Sequence, residues 1–543
     1  MINRSKSEKT AGHYALTNAA GRGVSVSLSY DGSYVTNMVY VLPNGNTFAV
    51  GLTRKASRKY LVARRDYSFN GSPTYWYSTD YDLLNRPTNA TDSVSLVREW
   101  LYNRRSELAA ASIGTNRYGY AYDTIGNRLW AADNLATNTY AANNLNQYSS
   151  ILRDSASPRE PTYDADGNLT FDGVFTYAYD AENRLVSVAS AVETNGAIRV
   201  LNAYDHVNRR IRKTVQKLSV TVASPPSPLV ETREWQTVAT HTFVWDGNNI
   251  VLERIARADG TAHVCEYFWG MDKSGTEQGA GGVEGLLAVS VDGVFYIPCY
   301  DHNGNIVRYV SETGTITVQY TYDPYGNVTE TYGDLADMFS FGFSTKYHDR
   351  EIGMIGYQRR FYCPDLGRWL NRDPIEEDGG ENLYAFCDNA MPYKYDALGT
   401  KTCCRNGEKI SCDDSFKWAG NVTVASVTRF FGVTFLMVDL VSNYICNKCT
   451  RYRLHAKAVL PTISAGAPVS LTGSEVEFGD VSPDVFAGSV MYGAVGIGAM
   501  GVVEASYLRL GDATAKSFGL VGGAEVGAGG AYGWYVDFEL IEE

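Results

Sequence analysis

"YDTIGNRL" runs from Tyr122 to Leu129, and its reading decides how the rest of the chain is read. Taken alone it is a β-turn. An aromatic ends a strand, Asp accepts backbone hydrogen bonds, and Gly-Asn supplies the positive-φ positions of a tight turn. The pattern returns as "YDLLNRPT" from Tyr81, "YDADGNLT" from Tyr163, "YDAENRLV" from Tyr179 and "YDHVNRRI" from Tyr204. It returns again as "WDGNNIVL" from Trp245, "YDHNGNIV" from Tyr300 and "YDPYGNVT" from Tyr322. Recurrence at unequal intervals makes this a degenerate repeat whose loops vary in length.

Between the turns, stretches such as "FTYAYD" and "ITVQYTYD" alternate at period two, as half-buried strands do. A single hairpin is marginal in water, so the units are expected to stack into a continuous sheet. Composition agrees: 39 Tyr and 52 Gly against 9 Met suit strands and turns better than helices. With 543 residues, two to four structural units are expected. A formal charge of −12 argues against a nucleic-acid footprint. The N-terminal stretch "MINRSKSEKTAGHYALTNAAGRG" has no apolar core of the secretory type.

These residues resemble the YD repeats of the Rhs family, also found in the C components of insecticidal toxin complexes and in teneurins. The resemblance implies a mainly β fold, a strand ribbon spiralling into a partial shell over 75–330, with a strand-rich lead-in over 1–74. From 331 to 400 the texture changes. "GYQRRFYCPDLGRWLNRDP", "GGENLYAF" and a closing Asp-x-x-Gly resemble the Rhs-repeat-associated core. By resemblance the protein is expected to be secreted or at the cell surface.

Two core carboxylates stand out. Asp373 lies in "RDP" beside Arg372, and Asp396 lies in "YDALG". Residue types alone suit turns at both places. Brought together, two carboxylates share a proton, and one activates water while the other protonates the carbonyl or leaving amine. Burial beneath Trp369, Tyr384 and Tyr395 would raise one pKa further. The resemblance implies the second role: an aspartyl protease acting in cis, with Asp373 and Asp396 catalytic and Thr400–Lys401 as the scissile bond. Arg372 could hold one carboxylate ionised as a charge partner or be a plain surface residue. Two residues depart from the family pattern, Ala397 in place of Pro and Thr400 in place of Leu. A member that keeps the fold and never cuts would instead be a structural or interaction protein.

Residues 401–543 would be a separate, Gly-rich and β-rich domain, the cargo of such a protease. An immunity protein and export machinery are the partners the resemblance implies. The segment carries 11 Lys+Arg against 15 Asp+Glu, so it does not read as a basic nuclease. No cofactor is expected for the core. Cys403, Cys412, Cys446 and Cys449 could hold a structural zinc, pair as disulfides or remain thiols. The hydrophobic stretch from Val422 to Tyr444 is broken by Arg429 and Asp439, so a buried helix or strand pair fits it better than a membrane span. The uncharged run from Phe486 to Val503 leaves two readings open, a soluble Gly-rich β-domain and a membrane-inserting hairpin.

Overall fold

The computed structural model divides the chain into two units, Met1–Lys409 and Ile410–Glu543. It describes residues 11–17, 21–31, 34–56, 58–154, 156–222, 231–400 and 402–404 of the first unit. Of the second it describes the backbone of 417–442, 452–464, 469–479, 489–496, 503–510, 513–520 and 527–542.

In the first unit every described strand pairs with its neighbour in the chain. A 13-stranded antiparallel sheet runs in sequence order from Ala11–Thr17 to Tyr148–Arg153, and a 14-stranded one from Thr162–Tyr163 to Val328–Tyr332. The first sheet runs through residues 74 and 75 within its strand Ser72–Tyr81.

The turns explain this regularity. In seven repeats the Asp Oδ1 accepts the N–H groups two and four residues on, from Asp82, Asp123, Asp164, Asp180, Asp205, Asp301 and Asp323. The third residue after Asp always has positive φ, being Asn85, Gly126, Gly167, Asn183, Asn208, Gly304 or Gly326. The fourth is Arg or Asn, whose side chain donates to the Asp Oδ2. The stretch at Trp245 departs from this. Asp246 pairs directly with Asn249 around a two-residue turn, with Gly247 at φ 56°, so its Asp does not span four residues.

The tyrosine does more than cover a sheet face. Its hydroxyl donates to a backbone carbonyl at or near the start of the preceding hairpin's returning strand. Tyr122 reaches Leu108 at 2.8 Å, Tyr204 reaches Leu185 at 2.7 Å and Tyr322 reaches Ile306 at 2.8 Å. These three repeats are thereby stitched to the ones before, which Phe could not do, whereas the Tyr163 hydroxyl accepts from the Tyr148 N–H and the buried Tyr179 hydroxyl makes no such bond.

The two sheets share one buried core with the segment after residue 331; it runs from Val24 to Met391. Tyr67, in the first sheet, both donates to the Tyr300 carbonyl at 3.2 Å and accepts from the Tyr300 N–H at 2.8 Å.

In the second unit the described strands form one seven-stranded antiparallel sheet. Its longest strand, Lys417–Ser442, pairs through its first half with Val469–Gly479 and through its second half with Tyr452–Ser464. The Val422–Tyr444 stretch therefore lies largely in a strand. No helix among the described residues is long and apolar enough to cross a membrane. Cys412, Cys446 and Cys449, and the side chain of Cys403, lie outside the described residues.

Candidate active site

The core segment is laid along the tips of the repeat turns. A four-stranded sheet, Tyr347–Asp349, Met354–Gly356, Phe361–Cys363 and Arg368–Trp369, leads into loops that dock there. Tyr393 donates to the Ser106 carbonyl at 3.0 Å. Arg368 donates to Asn127 Oδ1 at 2.9 Å and to the Asn146 carbonyl at 2.8 Å. Tyr384 donates to the Gly167 carbonyl at 2.8 Å. Successive turns thus present acceptors that fix successive parts of the core.

Asp396 ends the short strand Lys394–Asp396, which pairs with Thr402–Cys404 so that Asp396 faces Thr402. Residues 396–400 form a turn that carries the Thr400 carbonyl. It is the repeat turn again. Asp396 Oδ1 accepts from Leu398, Gly399 and Thr400 at 3.0, 2.6 and 3.1 Å, and Gly399, third after Asp, has φ 85°. The difference is the fourth residue. Where the repeats carry Arg or Asn to fasten Oδ2, this turn carries Thr400, and Asp396 Oδ2 lies 4.0 Å from the Arg360 guanidinium.

Arg360 is the hub of the site. Its Nη2 donates to Asp373 Oδ2 at 2.6 Å, its Nε to the Gly399 carbonyl at 2.6 Å and its Nη1 to the Leu383 carbonyl at 3.0 Å. The guanidinium lies 4.3 Å over the Trp369 ring. The preceding residue, Arg359, donates its backbone N–H to the Leu398 carbonyl at 2.9 Å. Two consecutive carbonyls of the turn are therefore gripped by two consecutive arginines.

Asp373 faces the same turn. A methyl group placed on Gly379 would collide with both Asp373 Oδ2 and the Thr400 carbonyl oxygen, so those two oxygens flank one point that only glycine leaves open. Asp373 Oδ1 accepts from the Ile375 N–H at 3.1 Å. A cleft of about 750 Å³ opens beside them, lined by Asp373, Thr400, Leu398 and Arg360 and walled by repeat turns at Asp166 and Asn183.

Both carboxyls are buried. Burial outweighs the opposing Arg360 charge and pushes Asp373 up to about 6, with Asp396 adding to the rise. Burial also raises Asp396, against Arg360 and the turn N–H groups. Burial acts in the opposite sense on Arg360, which is lowered despite its two carboxylate neighbours.

Trp369, Tyr384 and Tyr395 are all buried: Trp369 lies under the Arg360 guanidinium, Tyr384 bonds Gly167 and Tyr395 packs with Ala280 and Val283. Arg372 lines the cleft but packs its side chain on Gly167 near the Tyr384 hydroxyl, and the ion pair to Asp373 comes from Arg360. The sequence reading passed over Arg360 and Gly379. The available signal was the charged pair "RR" inside the otherwise apolar run "GYQRRFYC".

The Teneurin YD-shell family model matches residues 284–396, which include the last repeats, Arg360 and both aspartates. Over that stretch the match supports the resemblance to the Rhs/YD-repeat family. Among YD-repeat relatives, the tRNA3(Ser)-specific nuclease WapA of Bacillus spizizenii is 27% identical over 280 residues, 50% of this chain and 10% of WapA. Double-stranded DNA deaminase toxin A of Burkholderia cenocepacia is 25% identical over 341 residues, 59% of this chain and 22% of that one. Toxin protein Tse5 of Pseudomonas aeruginosa is 26% identical over 338 residues, 54% of this chain and 24% of Tse5. The chain spans no more than 24% of the length of these three relatives.

Proposed function

We propose that the YD-repeat body is a toxin-type delivery protein whose core cuts its own chain after Thr400, freeing residues 401–543 as an effector. The observation that carries this reading is that Asp373 Oδ2 and the Thr400 carbonyl oxygen both border the position a Gly379 Cβ would occupy, the carbonyl oxygen at 2.7 Å, with Thr400 on a turn made by the second aspartate. The chemistry follows from that placement. Protonated Asp373 donates to the Thr400 carbonyl oxygen as water adds to the carbon, and Asp396 accepts the water proton. The tetrahedral centre then collapses, one of its hydroxyls returns a proton to Asp373 as the C=O re-forms, the Thr400–Lys401 C–N bond breaks, and the nitrogen leaves as an amine carrying the proton Asp396 had taken. Arg360 holds the Gly399 carbonyl, and so the adjacent scissile peptide, in place throughout.

The toxin names of the relatives support the delivery role. In such a role the protein is secreted or presented at the cell surface, export machinery carries it, and an immunity protein protects the producing cell from the effector. N-terminal sequencing of any released fragment tests the cut: a first residue of Lys401 supports it, and any other start overturns the assignment of the bond.

One observation favours a second reading. The Arg360–Asp373 ion pair at 2.6 Å is also what a purely structural carboxylate would make. On that reading the chain stays whole and the core only closes the repeat body.

A further inference from the structure

Residues 270–285, "GMDKSGTEQGAGGVEG", join the strands Ala262–Trp269 and Leu286–Val291, and neither the repeat pattern nor the two aspartates account for them. Asp272 folds this loop back on itself. Its Oδ2 accepts from Ala280 at 2.7 Å and Gly282 at 3.0 Å, and its Oδ1 from Ser274 at 3.0 Å. The returned arm meets the strand that bears Asp396: Ala280 and Val283 form a buried cluster with Tyr395. A side chain on Gly281 would collide with the Ala397 carbonyl.

Lys346 ties the two together. It follows the 3-10 turn Phe343–Thr345, is buried, and donates to the Gly281 carbonyl at 2.6 Å and to the Ala397 carbonyl at 2.7 Å. The ammonium lies 5.2 Å over the Tyr357 ring. The neighbouring Thr345 hydroxyl anchors the loop as well, accepting from the Glu284 N–H at 3.0 Å and donating to the Gly304 carbonyl at 2.7 Å. Ala397 stands where the resembled family has proline, a residue that fixes its own φ. Here the same carbonyl is fixed from outside.

We propose that Lys346, braced by the 270–285 loop, is a positioning residue for self-cleavage: it fixes the first residue of the scissile turn and places a positive charge beside Asp396. The proposal rests on the autoprotease reading above. Asp396 is faced by Arg360 and Lys346, which favour its carboxylate, and by Asp373, which opposes it. The Tyr357 phenol also lies near it. Gly281 and Lys346 together replace the missing proline.

The test is the cleavage rate of the full chain from about pH 4 to pH 9 for the unaltered protein, Lys346→Met, Lys346→Arg and Gly281→Ala. Lys346→Met is expected to slow cleavage by about 10-fold or more and to move the acid limb of the profile up by about one pH unit, since the dyad then loses its first proton less readily. Lys346→Arg restores the limb, and Gly281→Ala slows cleavage without moving it. A Lys346→Met profile that superimposes on the unaltered one, or that falls in rate with the limb in place, overturns the proposal while leaving self-cleavage standing. An unaltered chain that is never cut overturns both.

Discussion

Arg360 and Asp373 form a buried ion pair at 2.6 Å, and the same guanidinium holds the carbonyl of Gly399, one residue before the proposed cut. Charge control of the acid and placement of the substrate thus depend on one side chain. Arg360→Met removes both and strands a buried carboxyl. The expected result is loss of cleavage together with destabilisation of about 3–5 kcal/mol, read from denaturant unfolding of the full chain. Arg360→Lys keeps a charge but not the fork, and is expected to recover stability more than cleavage.

Asp396→Asn separates chemistry from architecture. Asn103 and Asn143 already fill the corresponding place in two other turns of this protein, each accepting from the N–H groups two and four residues on. The turn should therefore survive the substitution, with a thermal midpoint within a few degrees of the unaltered protein, while the chain stays whole. Cleavage at an undiminished rate in Asp396→Asn would remove Asp396 from the mechanism.

Thr400 offers a switch. Arg86, Arg184 and Arg209 each fasten the Oδ2 of the Asp four residues before them. Thr400→Arg is expected to do the same to Asp396 and to abolish cleavage in a folded chain. Thr400→Leu leaves Oδ2 alone and should still be cut. Gel analysis of the two variants side by side decides the matter; equal cleavage in both would contradict the role given to the fourth position.

The pH dependence follows from two raised carboxyls. Asp373, at about 6, must be protonated to act as the acid, so its function is present below that value and lost as pH rises through it. Asp396 is also raised, so at low pH the pair holds two protons and lacks a base. Cleavage is expected to follow a bell with its alkaline limb near pH 6. A rate still climbing between about pH 7 and pH 9 would contradict the assignment of Asp373 as the acid.

Much of the fold was legible in the sequence because each repeat turn is local: Asp, its N–H donors and the positive-φ residue lie within four positions of one another. The stitching role of the tyrosine hydroxyl was not legible, since Tyr122 and Leu108 belong to different hairpins. At the site, residue types alone suited turns at both aspartates, and it was the family resemblance that named them as a pair. Arg360 could not be named, because its partners lie 13 and 39 residues away and only the docked core brings them together. The identity of the "YDALG" turn with the repeats was visible in the letters. What its fourth residue changes became visible only with Arg360 beside Asp396.

The most direct measurement is the intact mass of the freshly expressed, denatured protein. Self-cleavage predicts two species that divide between Thr400 and Lys401, and a single whole-chain species in Asp373→Asn. One species at 59.7 kDa in the unaltered protein would contradict it and leave Arg360, Asp373 and Asp396 as the fastening of a closed core.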